Sequence, residues 1–163
     1  NKMEKEKIDK LLQEHMKGRR ERAKKYFASL GINPDTKGNT YQERFLDAPP
    51  VPSGGMKNEP CIISAECFVF YTHVEVVMLQ TAETFEGNCG GIGTPGGFYG
   101  AGDIYFNNME TLLRATTFGA FFGGVDGVEV AQITWGTSGN ATAAGTGELD
   151  GAFGGSGNWY KTE

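Results

Sequence analysis

Glycine density is the feature that most restricts the folds open to this chain. The stretch from Gly87 to Trp159 holds 20 of the 25 glycines. Glycine in that abundance is poor material for helices, where each one costs about 1 kcal/mol relative to alanine. In strands it leaves no side chain to hold neighbouring backbone away. Between the glycines lie runs such as Phe98–Phe106 and Val128–Trp135, rich in β-branched and aromatic residues. Short strands with closely spaced turn signals specify an all-β sandwich or barrel, and a closed, tightly packed barrel is the expectation.

Hydrophobic alternation places the strands. From Cys61 to Tyr71 the odd positions are apolar or aromatic and the even ones include Ser64 and Glu66, so the odd face is read as buried. After His73 the apolar set moves to Val74, Val76 and Met78, which predicts a bulge or tight bend near Thr72 and His73. Further strands are expected at Thr81–Glu86, Phe98–Phe106, Thr117–Phe122, Val128–Trp135 and Ala141–Phe153, with a loop over Gly87–Gly97. Gly123–Gly127 and Gly136–Asn140 read as hairpin connections. Asn107 or Asn108 is placed to cap a short helix over Met109–Arg114. The odd face of the last strand is nearly bare at Gly145 and Gly147, which lets large aromatics approach. Phe118, Phe121, Phe122, Phe153, Trp135 and Trp159 are the expected fillers of a solid core without a ligand-sized cavity.

The remainder of the chain is different in kind. Residues 2–30 read as one amphipathic helix, weakened at Gly18 and ended by Gly31 and Pro34. Its apolar stripe has three uses open to it: docking on the barrel, pairing with another helix, or serving as a mobile leader. The Arg19-Arg20-Glu21-Arg22 and Lys24-Lys25 charges are read as a solvated face, with an anionic lipid surface as the alternative. Thr40–Glu43 fits a capping box, and Pro49–Gly55 a linker. The expected division is therefore a basic helical segment with linker over 1–58 and a β-barrel domain over 59–163.

Charge follows the same division. Residues 1–46 carry 12 Lys/Arg against 7 Asp/Glu, a net of +5, while residues 47–163 carry 3 against 13, a net of −10. A body so short of cations is a poor binder of nucleic acid, because phosphate contacts need Lys and Arg. Its acidity suits a cationic partner. No apolar run is long enough for a transmembrane helix, and the opening Asn1-Lys2-Met3-Glu4 carries no signal-peptide pattern.

Catalysis requires titratable groups brought together, and the sequence marks no such cluster. No catalytic, cofactor-binding or metal residue is expected. His73, a lone histidine at a strand bend, reads as a plain surface or satisfied residue and not as a base or metal ligand. Asp103, Asp126, Glu129, Glu148 and Asp150 could supply a carboxylate pair, and an enzyme built on Asp103, Glu129 or Asp150 is the third-ranked reading. The glycine loop over 90–97 lacks the Lys and the following helix of a phosphate-binding loop. Tyr99, Tyr105, Trp159 and Tyr160 are the candidates for an exposed aromatic partner surface. If Cys61 and Cys67 share a strand, they lie about 20 Å apart and cannot bridge. Spacing does not exclude a Cys67–Cys89 bridge, although three buried free thiols are the favoured reading.

Residues from about 60 to 160 resemble the virulence-associated protein (Vap) family of actinobacterial intracellular pathogens. The resemblance is carried by Gly90–Gly96, by Gly100–Phe106 with Asn107-Asn108 and Leu112-Leu113, by Thr117–Phe122, and by Gly154–Trp159. It implies a compact eight-stranded antiparallel barrel with a short helix after the third strand and no enzymatic activity. The implied role is a secreted or delivered virulence effector acting through surface interaction with host or competitor membranes or proteins. The competing reading is an immunity-type, lectin-like or lipid-binding barrel that holds a cationic partner or ligand. The charged segment 1–58 and the cysteines depart from the family's usual pattern.

Overall fold

The computed structural model describes residues 5–7, 9–10, 13–14, 17–34, 57–68 and 70–161. Eight strands follow a helix α1 (Arg19–Ser29): β1 (Lys57–Cys67), β2 (Thr72–Met78), β3 (Glu83–Gly93), β4 (Gly96–Phe106), β5 (Thr117–Val125), β6 (Val128–Thr134), β7 (Gly139–Gly147) and β8 (Gly151–Lys161). A five-residue helix α2 (Met109–Leu113) joins β4 to β5. The strands close into a barrel in the order β1-β2-β3-β8-β5-β6-β7-β4, with every pairing antiparallel. The all-β barrel expected from the sequence is the fold that forms. The capping box at Thr40–Glu43 and the linker at Pro49–Gly55 lie outside the described residues.

The ring order is unchanged when every strand number is advanced by four. Two meanders, β1-β2-β3 and β5-β6-β7, are sealed to one another by β4 and β8. The corresponding connections β3–β4 and β7–β8 cross the same end of the barrel and bond to each other. There the Thr94 amide donates to the Asp150 carbonyl at 2.8 Å, and the Thr94 hydroxyl donates to the Glu148 carbonyl at 3.0 Å. Leu149 is buried beneath that crossing, and Leu112 of α2 is buried beneath the opposite end. The Asn108 side chain caps α2 by accepting from the Thr111 amide at 3.2 Å, as its position in the sequence suggested.

Four residues, Phe68–Tyr71, separate β1 from β2, and the Phe68 amide donates to the Tyr71 carbonyl at 2.7 Å. The phase change near Thr72 and His73 is therefore a hairpin turn, not a bulge within one strand. Across such a turn an odd residue faces an even one, as Ile63 faces Val76 and Ala65 faces Val74. The split adds a strand, so the short helix follows the fourth strand and not the third. The expected strand Ala141–Phe153 also divides, because residues 148–150 are needed to cross the barrel end. Conversely, the expected glycine loop from Gly87 is strand as far as Gly93, since it lies in register with Gly151–Gly157 of β8. A continuous backbone ladder there overrides weak local strand preference.

Inside, aromatic rings fill the space that missing side chains leave. Phe85 meets Phe118, Trp135 and Trp159 with centroids 5.1, 5.3 and 5.4 Å apart, and Phe122 meets Phe98 and Phe153 at 5.6 and 6.0 Å. Phe121, an expected filler, instead points outward and is 52% exposed, because it alternates with Ala120 and Phe122. A methyl group at Gly145 would collide with the Tyr99 carbonyl, and one at Gly155 with the Asn88 carbonyl. These glycines set how near adjacent strands lie.

All three cysteines are free and buried. Cys67 and Cys89 flank Thr72 from opposite sides, so two strand spacings of about 4.8 Å each separate them. That span exceeds the roughly 7 Å limit for a disulfide, which removes the bridge that sequence spacing had left open.

Gly145→Ala and Gly155→Ala should each lower stability by about 1–3 kcal/mol in urea unfolding, because backbone blocks the added methyl. Gly124→Ala, whose methyl would sit 3.7 Å from Glu129, should change stability by less than about 0.5 kcal/mol.

Candidate functional site

The chemistry-bearing side chains gather on the outside of the barrel. On β1, β2 and β3, residues that alternate with the core must point outward, and among them are Ser64, Glu66, His73, Glu75, Glu86 and Asn88. Helix α1 covers that wall. It begins after Gly18, whose φ of +72° interrupts the single helix expected over 2–30, and Gly31 follows it with φ of +73°. Phe27 and Ala23 are fully buried, and the Phe27 ring lies 5.9 Å from Phe68 and 5.5 Å from Tyr71. This patch draws the helix onto the β1–β2 hairpin.

Around the apolar patch the helix is held by charge. Glu66 accepts from Arg19 and Arg20, each at 3.0 Å. Glu75 accepts from Arg22 at 3.0–3.2 Å and from the Ser64 hydroxyl at 3.2 Å. Arg19 also lies over the Tyr99 ring and Arg20 over Phe68, with centroid distances of 5.4 and 4.6 Å. Gly97 leaves room for the Arg19 guanidinium, which a methyl group there would strike. The arginines expected on a solvated face are therefore the latch of the helix. Glu66 and Glu75 are both buried, so loss of these partners would leave a carboxylate in the wall without compensation.

His73 is completely buried at the centre of the wall. Its ring lies 4.9 Å from Tyr26, its Nε2 is 2.8 Å from a Glu86 oxygen, and its Nδ1 is buried without a hydrogen bond. Glu75 and Glu86 are register partners on β2 and β3. Their field reaches the neighbouring phenols. Burial first, and Glu86 and Glu75 next, push Tyr160 up to about 12. Burial also raises Tyr26, against a hydrogen bond from Asn88 and together with Glu86.

The aromatic candidates do not share one face. Tyr99 and Tyr105 point outward from β4, and Tyr160 points outward from β8, halfway around the ring. Trp159 turns inward and packs on Phe85 and Trp135 at 5.4 and 5.2 Å. Of the carboxylates singled out in the sequence, Glu129 and Asp150 come together at one barrel mouth. Burial, then a hydrogen bond and repulsion from Asp150, raise Glu129 above the usual carboxylate range. The buried set of Glu66, Glu75 and Glu86 was missed, since outward strand positions were read as solvated. The signal available was the opposite charge of the segment carrying Arg19, Arg20 and Arg22.

The wall facing away from α1 has another character. The outward positions of β5, β6 and β7 carry no charged residue among those described. Small residues such as Gly119, Gly123 and Ala144 alternate there with Thr142 and Val130, and Phe121 and Val128 are 52% and 44% exposed. Among the described residues no helix is long and apolar enough to cross a membrane.

A closed antiparallel barrel filled by its own side chains, with its polar groups gathered outside, is the class these features define. The family model for the Rhodococcus equi virulence-associated protein matches residues 1–160, and the chain belongs to that family. The match extends beyond the stretch that carried the resemblance and takes in the helical segment. Among solved structures the fold is similar to the virulence-associated protein VapB of Rhodococcus equi, with a TM-score of 0.54 at 19% identity, covering 66% of this chain and 99% of that one. It is also similar to VapD of the same organism, with a TM-score of 0.52 at 19% identity and 65% and 99% coverage. A sequence search of curated proteins finds no match.

Two outcomes follow for the charged groups. Arg22→Ala strips a buried Glu75 of its guanidinium and should cost about 3 kcal/mol in urea unfolding; adding Glu75→Gln should recover much of the loss in a double-mutant cycle. Glu129 is raised in the folded state, so its favourable contribution is complete below its unfolded pKa and fades as pH rises through the folded one. Glu129→Gln should therefore raise the Tm at pH 7 by relieving Asp150, and the gain should vanish near pH 4 in thermal melts across pH.

Proposed function

We propose that this protein is a secreted, non-enzymatic virulence effector that acts through its outer surface on a protein of a host or competitor cell. The observation that carries the reading is the uncharged wall of β5, β6 and β7. An extended face of small residues with Phe121 and Val128 standing from it is suited to close contact with another protein. The interior supports the same view, because its volume is taken by Phe85, Phe98, Phe118, Phe122 and Phe153 and its ends by Leu112 and Leu149.

A protein partner suits this wall better than a membrane does. Docking on anionic lipid draws on clusters of Lys and Arg, whereas the wall has neither and residues 47–163 carry a net charge of −10. The arginines of α1, Arg19, Arg20 and Arg22, which could have served, pair with Glu66 and Glu75. Family membership supports a virulence role and a secreted setting.

The test is to place a charge on the uncharged wall. Phe121→Lys and Ala144→Lys should each abolish cross-linking of the labelled protein to its host-cell partner, with an unchanged Tm. Cross-linking that survives both changes would remove the wall from the interface. Flotation with neutral and anionic vesicles, lost in the same variants, would move the reading from a protein to a membrane.

A further inference from the structure

The wall beneath α1 holds a second feature, independent of the docking wall. We infer that His73, Glu75 and Glu86 form a binding site for a divalent transition-metal ion. Among the described residues this is the one set of three such side chains whose donor atoms all lie within 4.8 Å of one another. Their backbone positions are fixed in advance: Glu75 and Glu86 face each other across the β2–β3 ladder, and His73 stands two residues from Glu75 on the same face. Convergence on an ion needs only side-chain rotation.

The donor geometry is close to what an ion requires. His73 Nε2 and Glu86 Oε2 are 2.8 Å apart, about half an ångström short of the ~3.3 Å between two tetrahedral donors that each lie about 2.0–2.1 Å from zinc. The imidazole is held in place by Tyr26 at 4.9 Å; without an ion its Nε2–H donates to Glu86, and an ion bound at Nε2 takes the place of that proton, with Nδ1 carrying the ring's hydrogen. One nitrogen with two carboxylates suits Zn²⁺, Mn²⁺ or Fe²⁺ better than Ca²⁺ or Mg²⁺, which take oxygen ligands. The Glu86 side chain is 22% exposed and gives the ion a route from solvent.

One further observation fits a place built for positive charge. Arg22 already lays its guanidinium against Glu75, so the side chain that secures the helix also stands as the ion's competitor. An ion that took over Glu75 would loosen one of the ties holding α1.

Zn²⁺ titration of the full chain, by calorimetry and by competition with a chromogenic chelator, tests the site. One ion per chain is expected. His73→Gln and Glu86→Gln should each weaken binding by at least about ten-fold, and Arg22→Gln should tighten it by a similar factor by freeing Glu75. Zn²⁺ should raise the Tm of the wild-type protein and leave that of His73→Gln unchanged. Co²⁺ should give a spectrum without a thiolate charge-transfer band, which separates this site from the cysteines. If His73→Gln fails to fold, Glu86→Gln carries the comparison, since its side chain is partly exposed. Saturable binding by Arg22→Gln alone still supports the site, with Arg22 as its resident occupant. Binding that survives loss of His73 or Glu86, or no binding by Arg22→Gln at millimolar Zn²⁺, would overturn it.

Discussion

The contact on which this molecule most depends is backbone against backbone. At Gly102, Gly145 and Gly155 the facing strand comes so near that even a methyl group would meet a carbonyl oxygen. Such closeness draws the barrel tight, and the rings of Phe85, Phe98, Phe118 and Phe122 then occupy what room is left. Tight packing of this kind leaves an interior that stabilises and holds nothing else. The function proposed above is accordingly carried by the outside, where sequence is free of the demands of the core.

That outside is divided. On β1, β2 and β3 the outward residues include the buried polar and acidic set Ser64, Glu66, His73 and Glu75, held under an arginine-rich helix. On β5, β6 and β7 they are small and uncharged, with Phe121 exposed. The charge separation along the chain is thus resolved in space: cations of the N-terminal segment neutralise carboxylates of the body. Buried ion pairs are weak stabilisers compared with apolar packing of equal area. They fix where the helix lies, because a displaced Arg22 or Arg19 leaves a carboxylate buried without its partner.

Sequence carried the fold further than the site. Alternation placed Cys61, Ile63 and Ala65 inside and moved the inward set to Val74 and Val76, as the register has it. Of the two causes it allowed, a bulge or a tight bend, the bend is the one that forms, because four turn residues change parity just as a bulge would. The run Gly87–Gly93 looked like a loop because no local preference marks glycine as strand, and only the ladder to β8 makes it one. The wall under α1 was hidden for a related reason. Alternation tells which residues leave the core, not what lies above them, so Glu66, His73 and Glu75 looked solvated until a helix from another part of the chain covered them.

The four-step repeat in the ring order has a consequence for how the barrel can come apart. Each half ends in a strand that bonds both to its own meander and to the other half, β4 to β1 and β7, β8 to β5 and β3. Neither half closes alone, and either one released would present two bare, adhesive margins. Assembly is therefore all or nothing, with distant stretches of chain meeting before any margin is covered, a topology associated with slow folding. A ribosome must deliver β8 before the first half finds its seal, and until then the nascent chain is exposed to unwanted partners along both sides.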